Sequence, residues 1–276
     1  MEGKAVSKRK LYNLLAKLKT SPGDYLTLYV KPSSFPNFIS ELSLEPKYRI
    51  CGDEIKESVN TKGVIQEAER YKTGAAIFWQ EIGNRYIVLP PLPIRENKVF
   101  LAKLDTSLLH ETLERKYTIG VILVTWGSYA LGIFHGDNLI ESKVGTGYIH
   151  KEHKKGGRSQ KRFARRTEEQ KKDFLRKVSN RIEERFKNHA LDYIFFGGNR
   201  LISKPLLTEC RYLELESNKI SARILNIRYA NKETLDHSLD EITKSLVFTY
   251  WRRTKIYTLA NTILAGDQIT KLLSNP

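Results

Sequence analysis

Between residues 8 and 19, Leu11, Leu14, Leu15 and Leu18 recur at helical spacing, and Ser21-Pro22-Gly23 stops the pattern, so a helix is predicted there. Residues 25–30 alternate as a strand does, and 32–36, bracketed by prolines, read as loop. A further helix is predicted over 62–71. Two short strands, 75–79 and 86–89, flank a Gly83-Asn84 turn. Pro90, Pro91 and Pro93 keep the following stretch extended and outside any central ladder. A helix over 105–114 closes this part, and the texture changes near Arg115. The division expected is residues 1–114, an α/β region whose role the pattern does not disclose, and residues 115–276, a second α/β unit.

The second part is more regular. Ile119, Val121, Ile122 and Val124 make 117–125 an apolar, β-branched strand. Strands over 129–135 and 138–144 follow turns at Gly127-Ser128 and Gly136-Asp137, giving a three-stranded meander. A polar loop over 145–161 leads to a long helix over 163–189, whose stripe of Phe174, Val178, Ile182 and Phe186 falls at steps of four, widened by Leu175. A buried strand over 192–196 ends at Gly197-Gly198. A helix over 202–211, a strand over 222–227 and two helical pieces over 234–273 around Arg252-Arg253 complete the reading. Three antiparallel strands followed by helix, strand, helix, strand and helix predict an α/β (α+β) fold. It is an RNase H-like mixed sheet with a long helix after a glycine-rich loop, beside a smaller N-terminal α/β region.

Charge sharpens this picture. The 276 residues carry 47 Lys and Arg against 31 Asp and Glu, a net charge of +16. Such a surplus attracts polyanions and costs self-repulsion in the compact state, which points to nucleic acid. It is unevenly placed: from 151 to 187 fifteen cations face six acids, a surplus of +9. A solvated helix face interleaves both signs. Here the loop and first helical turn are almost wholly cationic, which suits phosphate neutralisation and affinity without sequence readout. Lys154, Lys155, Arg158, Lys161, Arg162, Arg165 and Arg166 are the expected RNA contacts. The glycines Gly145, Gly147, Gly156 and Gly157 read as freeing the loop's backbone for close approach to a ligand.

The meander, the segment Gly156-Gly157-Arg158-Ser159-Gln160, the Lys161-Arg162-Phe163 run and the helix after it resemble the middle domain of archaeal and eukaryotic peptide-chain release factors. They are closer to the Vms-like release factor (VLRF) family, whose best-known members are the Vms and ANKZF-type peptidyl-tRNA hydrolases of ribosome-associated quality control. The likeness covers residue 117 to the C-terminus well and the first third less clearly. Release factors carry Gly-Gly-Gln as a contiguous tripeptide, whereas Arg158 and Ser159 here separate Gly157 from Gln160, a spacing similar to the looser VLRF motif. By that resemblance Gln160 is the catalytic glutamine, Gly156 and Gly157 give the loop its reach, and Ser159 lies within the catalytic segment. Release of nascent peptide on stalled large subunits is implied, with the ribosome's peptidyl-transferase centre, rRNA and peptidyl-tRNA as partners and no cofactor. The broken tripeptide counts against ordinary stop-codon termination.

The chemistry fits a glutamine that orients water or offers its backbone N–H to a developing oxyanion, since it is a poor acid or base at neutral pH. A tRNA acceptor-end endonuclease and a non-catalytic ribosome- or RNA-binding protein remain as other readings. Metal-dependent RNase H chemistry needs clustered carboxylates. The first strand has none, and Asp137 and Glu141 alone make no cluster. His150 and His153 lack a third ligand by sequence and are read as phosphate or solvent contacts. Ser159 has no His–Asp pair placed beside it by any motif. Trp79, Trp126 and Trp251 are expected in the core or at an interface. Lys8-Arg9-Lys10 and Arg252-Arg253 divide evenly between RNA contact and solvated surface. Cys51 and Cys210 read as two buried thiols. No stretch reaches the ~20 apolar residues of a membrane helix and no cleavable leader is evident, so a cytoplasmic, membrane-free monomer is expected.

Overall fold

The computed structural model describes residues 2–41, 46–149 and 158–250, with the side chains of 47 and of 158–161 outside the description. The chain begins with β1 (Lys4–Val6), α1 (Lys8–Thr20) and β2 (Leu26–Val30). Three helices follow, α2 (Asn37–Ser40), α3 (Arg49–Val59) and α4 (Lys62–Tyr71). Then come β3 (Ala75–Trp79), β4 (Arg85–Leu89), β5 (Lys98–Phe100) and α5 (Ser107–Glu114). Ser7 caps α1 by accepting from the Lys10 N–H. Gly83 turns the β3–β4 hairpin at φ 126°, a backbone that side-chain-bearing residues avoid. The edge strand β5, which pairs with β2, has no counterpart in the sequence reading, because three residues are too short for a periodic signal.

The second part opens with β6 (Thr118–Thr125), β7 (Ser128–His135) and β8 (Asn138–Thr146), the expected meander. It continues with α6 (Arg158–Phe186), β9 (Tyr193–Gly198), α7 (Arg200–Glu209) and α8 (Arg211–Leu215). The four strands form a mixed sheet in the order β8-β7-β6-β9, with β9 parallel to β6. This is the strand order of the RNase H-like sheet expected, and α6 is its crossover helix. Phe174, Val178, Ile182 and Phe186 are all buried against Ile122, Tyr129, Leu131 and Phe196. Each such side chain contributes roughly 1.5–3 kcal/mol on burial.

Two expectations fail after β9. Residues 222–227 form no strand. Ile194 pairs with Ile220 and Gly197 with Leu225 as isolated parallel bridges, so five residues span what three span in β9 and the ladder breaks. The helical pieces expected over 234–273 hold only as far as Ile242 within the described residues. There the chain makes α9 (Lys232–Asp236), α10 (Ser238–Ile242) and then β10 (Ser245–Thr249). A short apolar run buried on both sides looks alike as helix or strand in sequence. Leu246 and Phe248 enter one core and Val247 another, the alternation of a strand.

β10 closes the first sheet rather than the second, giving the order β1-β10-β4-β3-β2-β5. That sheet is covered on both faces. Leu28, Ile77, Trp79 and Phe248 pack beneath α3 and α4, while Tyr29, Phe78 and Val247 pack beneath Leu11 and Leu15 of α1 and Leu109 of α5. With six strands against four, the N-terminal sheet is the wider of the two. Cys51 and Cys210 are buried as free thiols in separate cores. Among the described residues no helix is long and apolar enough to cross a membrane.

Candidate functional site

The site is built around the start of α6. The helix begins at Arg158, five residues before its expected start, so Arg158, Ser159 and Gln160 occupy its first turn instead of a loop. Residues 162–166 are all exposed, and the first buried side chain described is Thr167, at 4%. Five successive exposed residues exceed one turn, so this stretch of helix has no buried face. The first turns of α6, from 158 to 166, span roughly 13 Å of helix. They carry five cations, Arg158, Lys161, Arg162, Arg165 and Arg166, and no acid.

Further along, α6 turns its charges inward on the protein. Lys171 pairs with Glu168 at 2.7 Å and lies over the Trp126 ring at 5.4 Å. Lys177 donates to the Thr146 carbonyl at 2.8 Å. Arg176 reaches Asp173 and Glu209, and Arg181 pairs with Glu184. Arg185 and His189 both meet Glu141 of β8 at 2.9 Å. The hydrogen bond from Arg185, reinforced by His189, holds the Glu141 carboxyl below the usual carboxylate range despite partial burial. Arg165 pairs with Glu169 at 3.1 Å, while Arg162 and Arg166 make no ion pair among the described residues. The surplus counted over 151–187 is therefore unequal in kind. Lys171, Arg176, Lys177, Arg181 and Arg185 make contacts within the protein, whereas Arg162, Arg165 and Arg166 are exposed.

The glycines divide in the same way. A Cβ on Gly147 would stand 2.5 Å from the Phe174 ring, and one on Gly145 would stand 2.4 Å from the Tyr129 ring. Neither has a positive φ. They are needed for close packing of the end of β8 under α6, not for the loop freedom expected of them. Phe174 in turn packs near Trp126 and Tyr129, each with ring centroids 6.3 Å away. The tip of the β6–β7 hairpin, the end of β8 and the middle of α6 are thereby locked together. This clamp is invisible in sequence, since glycine's reading as a flexible residue hides its use as a gap for a ring.

Lys154, Lys155, Gly156 and Gly157, with His150 and His153, lie outside the described residues, as do Trp251 and Arg252-Arg253. Trp79 is buried in the first core and Trp126 is half-buried. Lys8 reaches Glu114 at 3.7 Å and Arg9 and Lys10 are exposed. Among the described residues no group of three or more His, Cys, Asp or Glu side chains could hold a metal ion.

Residues 117–247 match the family described as the Actinobacteria/chloroflexi VLRF1 release factor. This stretch is release-factor-like. The resemblance drawn from the meander, the glycine-to-glutamine segment and the long helix thus holds for the region that bears them. Over a longer span the chain is 27% identical to peptide chain release factor subunit 1 of Aeropyrum pernix, across 268 residues covering 87% of this chain and 70% of that protein. It is 23% identical to the same subunit of Picrophilus torridus, covering 89% of this chain and 65% of the relative, just under two thirds of its length. A crystal structure of archaeal translation termination factor aRF1 aligns over 98% of this chain and 77% of its own, at 19% identity and a TM-score of 0.38. The Vms1 mitochondrial localization core aligns over 79% and 89%, at 12% identity and a TM-score of 0.34.

Proposed function

We propose that this protein is a translation termination or rescue factor that hydrolyses the ester joining nascent peptide to tRNA, acting at the peptidyl-transferase centre of stalled large ribosomal subunits. The observation that carries this reading is the acid-free cationic start of α6, which is exposed over 162–166 and has Gln160 in its first turn. The kinship of residues 117–247 with a release-factor family supports it.

The ester carbonyl is an activated acyl group. Its hydrolysis needs a positioned water and stabilisation of negative charge on the carbonyl oxygen. The first four backbone N–H groups of a helix have no intrahelical acceptor, and the helix dipole leaves that end partly positive. Gln160 is the third residue of α6. Its backbone N–H is therefore one of those free donors, suited to the oxyanion, while its side-chain amide orients the attacking water. Arg158, Lys161, Arg162, Arg165 and Arg166, with Lys154 and Lys155, hold the segment among rRNA and tRNA phosphates. Gly156 and Gly157 permit close backbone approach, and Ser159 adds a hydroxyl beside the water. No metal or cofactor enters this scheme, and a single copy of the chain suffices for it.

The test is the identity of the product. Large subunits carrying labelled peptidyl-tRNA are incubated with the protein and the tRNA 3′ end is mapped. Ester hydrolysis predicts free peptide and an intact acceptor end. A shortened acceptor end with peptide still attached to the fragment would establish nuclease chemistry instead, and no product at all would leave a binding protein.

A further inference from the structure

Helix α1 carries five cations, Lys8, Arg9, Lys10, Lys17 and Lys19, and no acid. From Gly3 to Gly23 the chain holds six cations and not one Asp or Glu. Peptide release gives these side chains no task. Lys8 is drawn onto the protein by Glu114 at 3.7 Å. Arg9, Lys10, Lys17 and Lys19 are exposed and make no ion pair among the described residues. A helix turns about 100° per residue, so Arg9, Lys10 and Lys17 share one side of α1 over roughly 12 Å of its length. Lys17 and Lys19 suit the last turn, where the helix dipole is negative. Arg9 and Lys10 sit in the first turn, where the dipole repels a cation and favours an acid. A solvated helix face offsets such charge with acids three or four residues away, and α1 has none. The arrangement works against the fold unless a polyanion lies along this side.

Three kinds of partner answer to a cationic helix. A membrane surface needs the apolar side of the helix free to enter the lipid. Leu11, Leu15 and Leu18 are at most 1% exposed and are buried in one core with Tyr29, Phe78 and Val88, so α1 has no apolar side to give. An acidic protein needs an interface whose centre is depleted of charge and rich in rings. Between its cations, α1 exposes only Asn13, Ala16 and Thr20. A phosphate backbone needs neither lipid-facing side chains nor an apolar centre, since cations in water are enough to displace its counterions.

We infer that the outward side of α1, through Arg9, Lys10 and Lys17, is a second RNA-docking surface, which takes phosphates of the RNA backbone apart from those met by the start of α6. This rests on the reading of the protein as RNA-directed, but not on peptide release. It gives the layer that covers the first sheet a share in binding, and it assigns Arg9 and Lys10 to RNA rather than to solvent.

The test titrates salt against binding of a fluorescent RNA duplex and, in a second arm, of anionic phospholipid vesicles. The variants are Arg9→Gln/Lys10→Gln/Lys17→Gln and the charge-keeping Arg9→Lys/Lys10→Arg/Lys17→Arg. Glutamine keeps the helix propensity of the residues it replaces, and the three side chains are exposed, so an unfolding midpoint at or above the wild-type value verifies the fold. The glutamine variant is expected to bind the duplex more weakly, with the slope of log affinity against log salt lower by about 2–3. The charge-keeping variant retains the wild-type slope. An unchanged slope in the glutamine variant, beside a steep wild-type slope, would overturn this inference alone. Loss of vesicle binding with duplex binding intact would also overturn it and assign the face to a lipid surface. A wild type whose duplex binding does not depend on salt would overturn the RNA-directed reading itself. Binding is read without turnover, so none of these outcomes is confused with a failure of ester hydrolysis.

Discussion

At the scale of single residues, Gly147 decides how closely α6 sits on the end of β8. A methyl group there would meet the Phe174 ring at 2.5 Å, and a ring buried on Trp126 and Tyr129 cannot step aside without moving the helix. Gly147→Ala is therefore predicted to destabilise the protein by about 1–3 kcal/mol. In a urea titration, the midpoint should fall while the denaturant slope stays constant; an unchanged midpoint would mean that the clamp is loose. The sequence marks this glycine only by its residue type. Its purpose depends on a ring twenty-seven positions away, and no local pattern encodes such a contact. Gln160 is the opposite case. Its identity stands out from the cationic run around it, but its place in a helical turn was hidden because residues 158–162 bear no apolar stripe from which a helix can be read.

At the scale of elements, α6 is legible where it is buried and illegible at its exposed start. The four-residue stripe fixes the helix and the face it buries, and the meander is marked by turn residues and β-branched strands. The charge count alone could not separate cations that brace the fold from cations that face outward. The pairings with Glu168, Thr146 and Glu141 make that division. Replacing Arg162, Arg165 and Arg166 together by glutamine should weaken RNA binding at low salt and lower the slope of log affinity against log salt by about 2–3. A slope equal to the wild type's would place the phosphate contacts elsewhere. The Glu141–Arg185–His189 group, which ties the edge strand β8 to the end of α6, is expected to respond to acid. Because the Glu141 pKa is lowered in the folded protein, its contribution is complete above the ordinary carboxylate range and is lost as pH falls through the lowered value. Glu141→Gln should thus cost about 0.5–1 kcal/mol at neutral pH and nothing in acid. Thermal unfolding of both proteins across pH tests this, and a gap that persists in acid would refute it.

At the scale of the whole molecule, the two sheets are joined by a buried guanidinium. Arg223, 6% exposed, donates to the carbonyls of Glu241, of Ile242 at 3.0 Å and of Lys244 at 3.2 Å. It lies over the Tyr71 ring at 5.0 Å and the Phe195 ring at 5.9 Å, one from α4 beside the first sheet and one from β9 of the second. Burial pulls its pKa below the usual arginine value, yet it remains a cation at neutral pH. Those carbonyls lead straight into β10, so the same side chain steers the chain back into the first sheet. Removing it strands buried acceptors at roughly 1–3 kcal/mol each. Arg223→Met, which keeps the stem, should split calorimetric unfolding into two transitions, one per sheet, where the wild type shows one. A single transition at the wild-type temperature would argue that the sheets are coupled by other contacts. This joint was out of reach of the sequence: a lone arginine in an apolar stretch reads as surface, and a strand crossing back from the second part reads as helix.

The central claim is that the start of α6 delivers an amide to the peptidyl-tRNA ester, and single-turnover peptide release from peptidyl-tRNA-loaded large subunits measures it most directly. Gln160→Ala should bind those subunits as the wild type does and release peptide at least about a hundredfold more slowly, the scale of losing one positioned donor at an oxyanion. Release at the wild-type rate by Gln160→Ala would contradict the account.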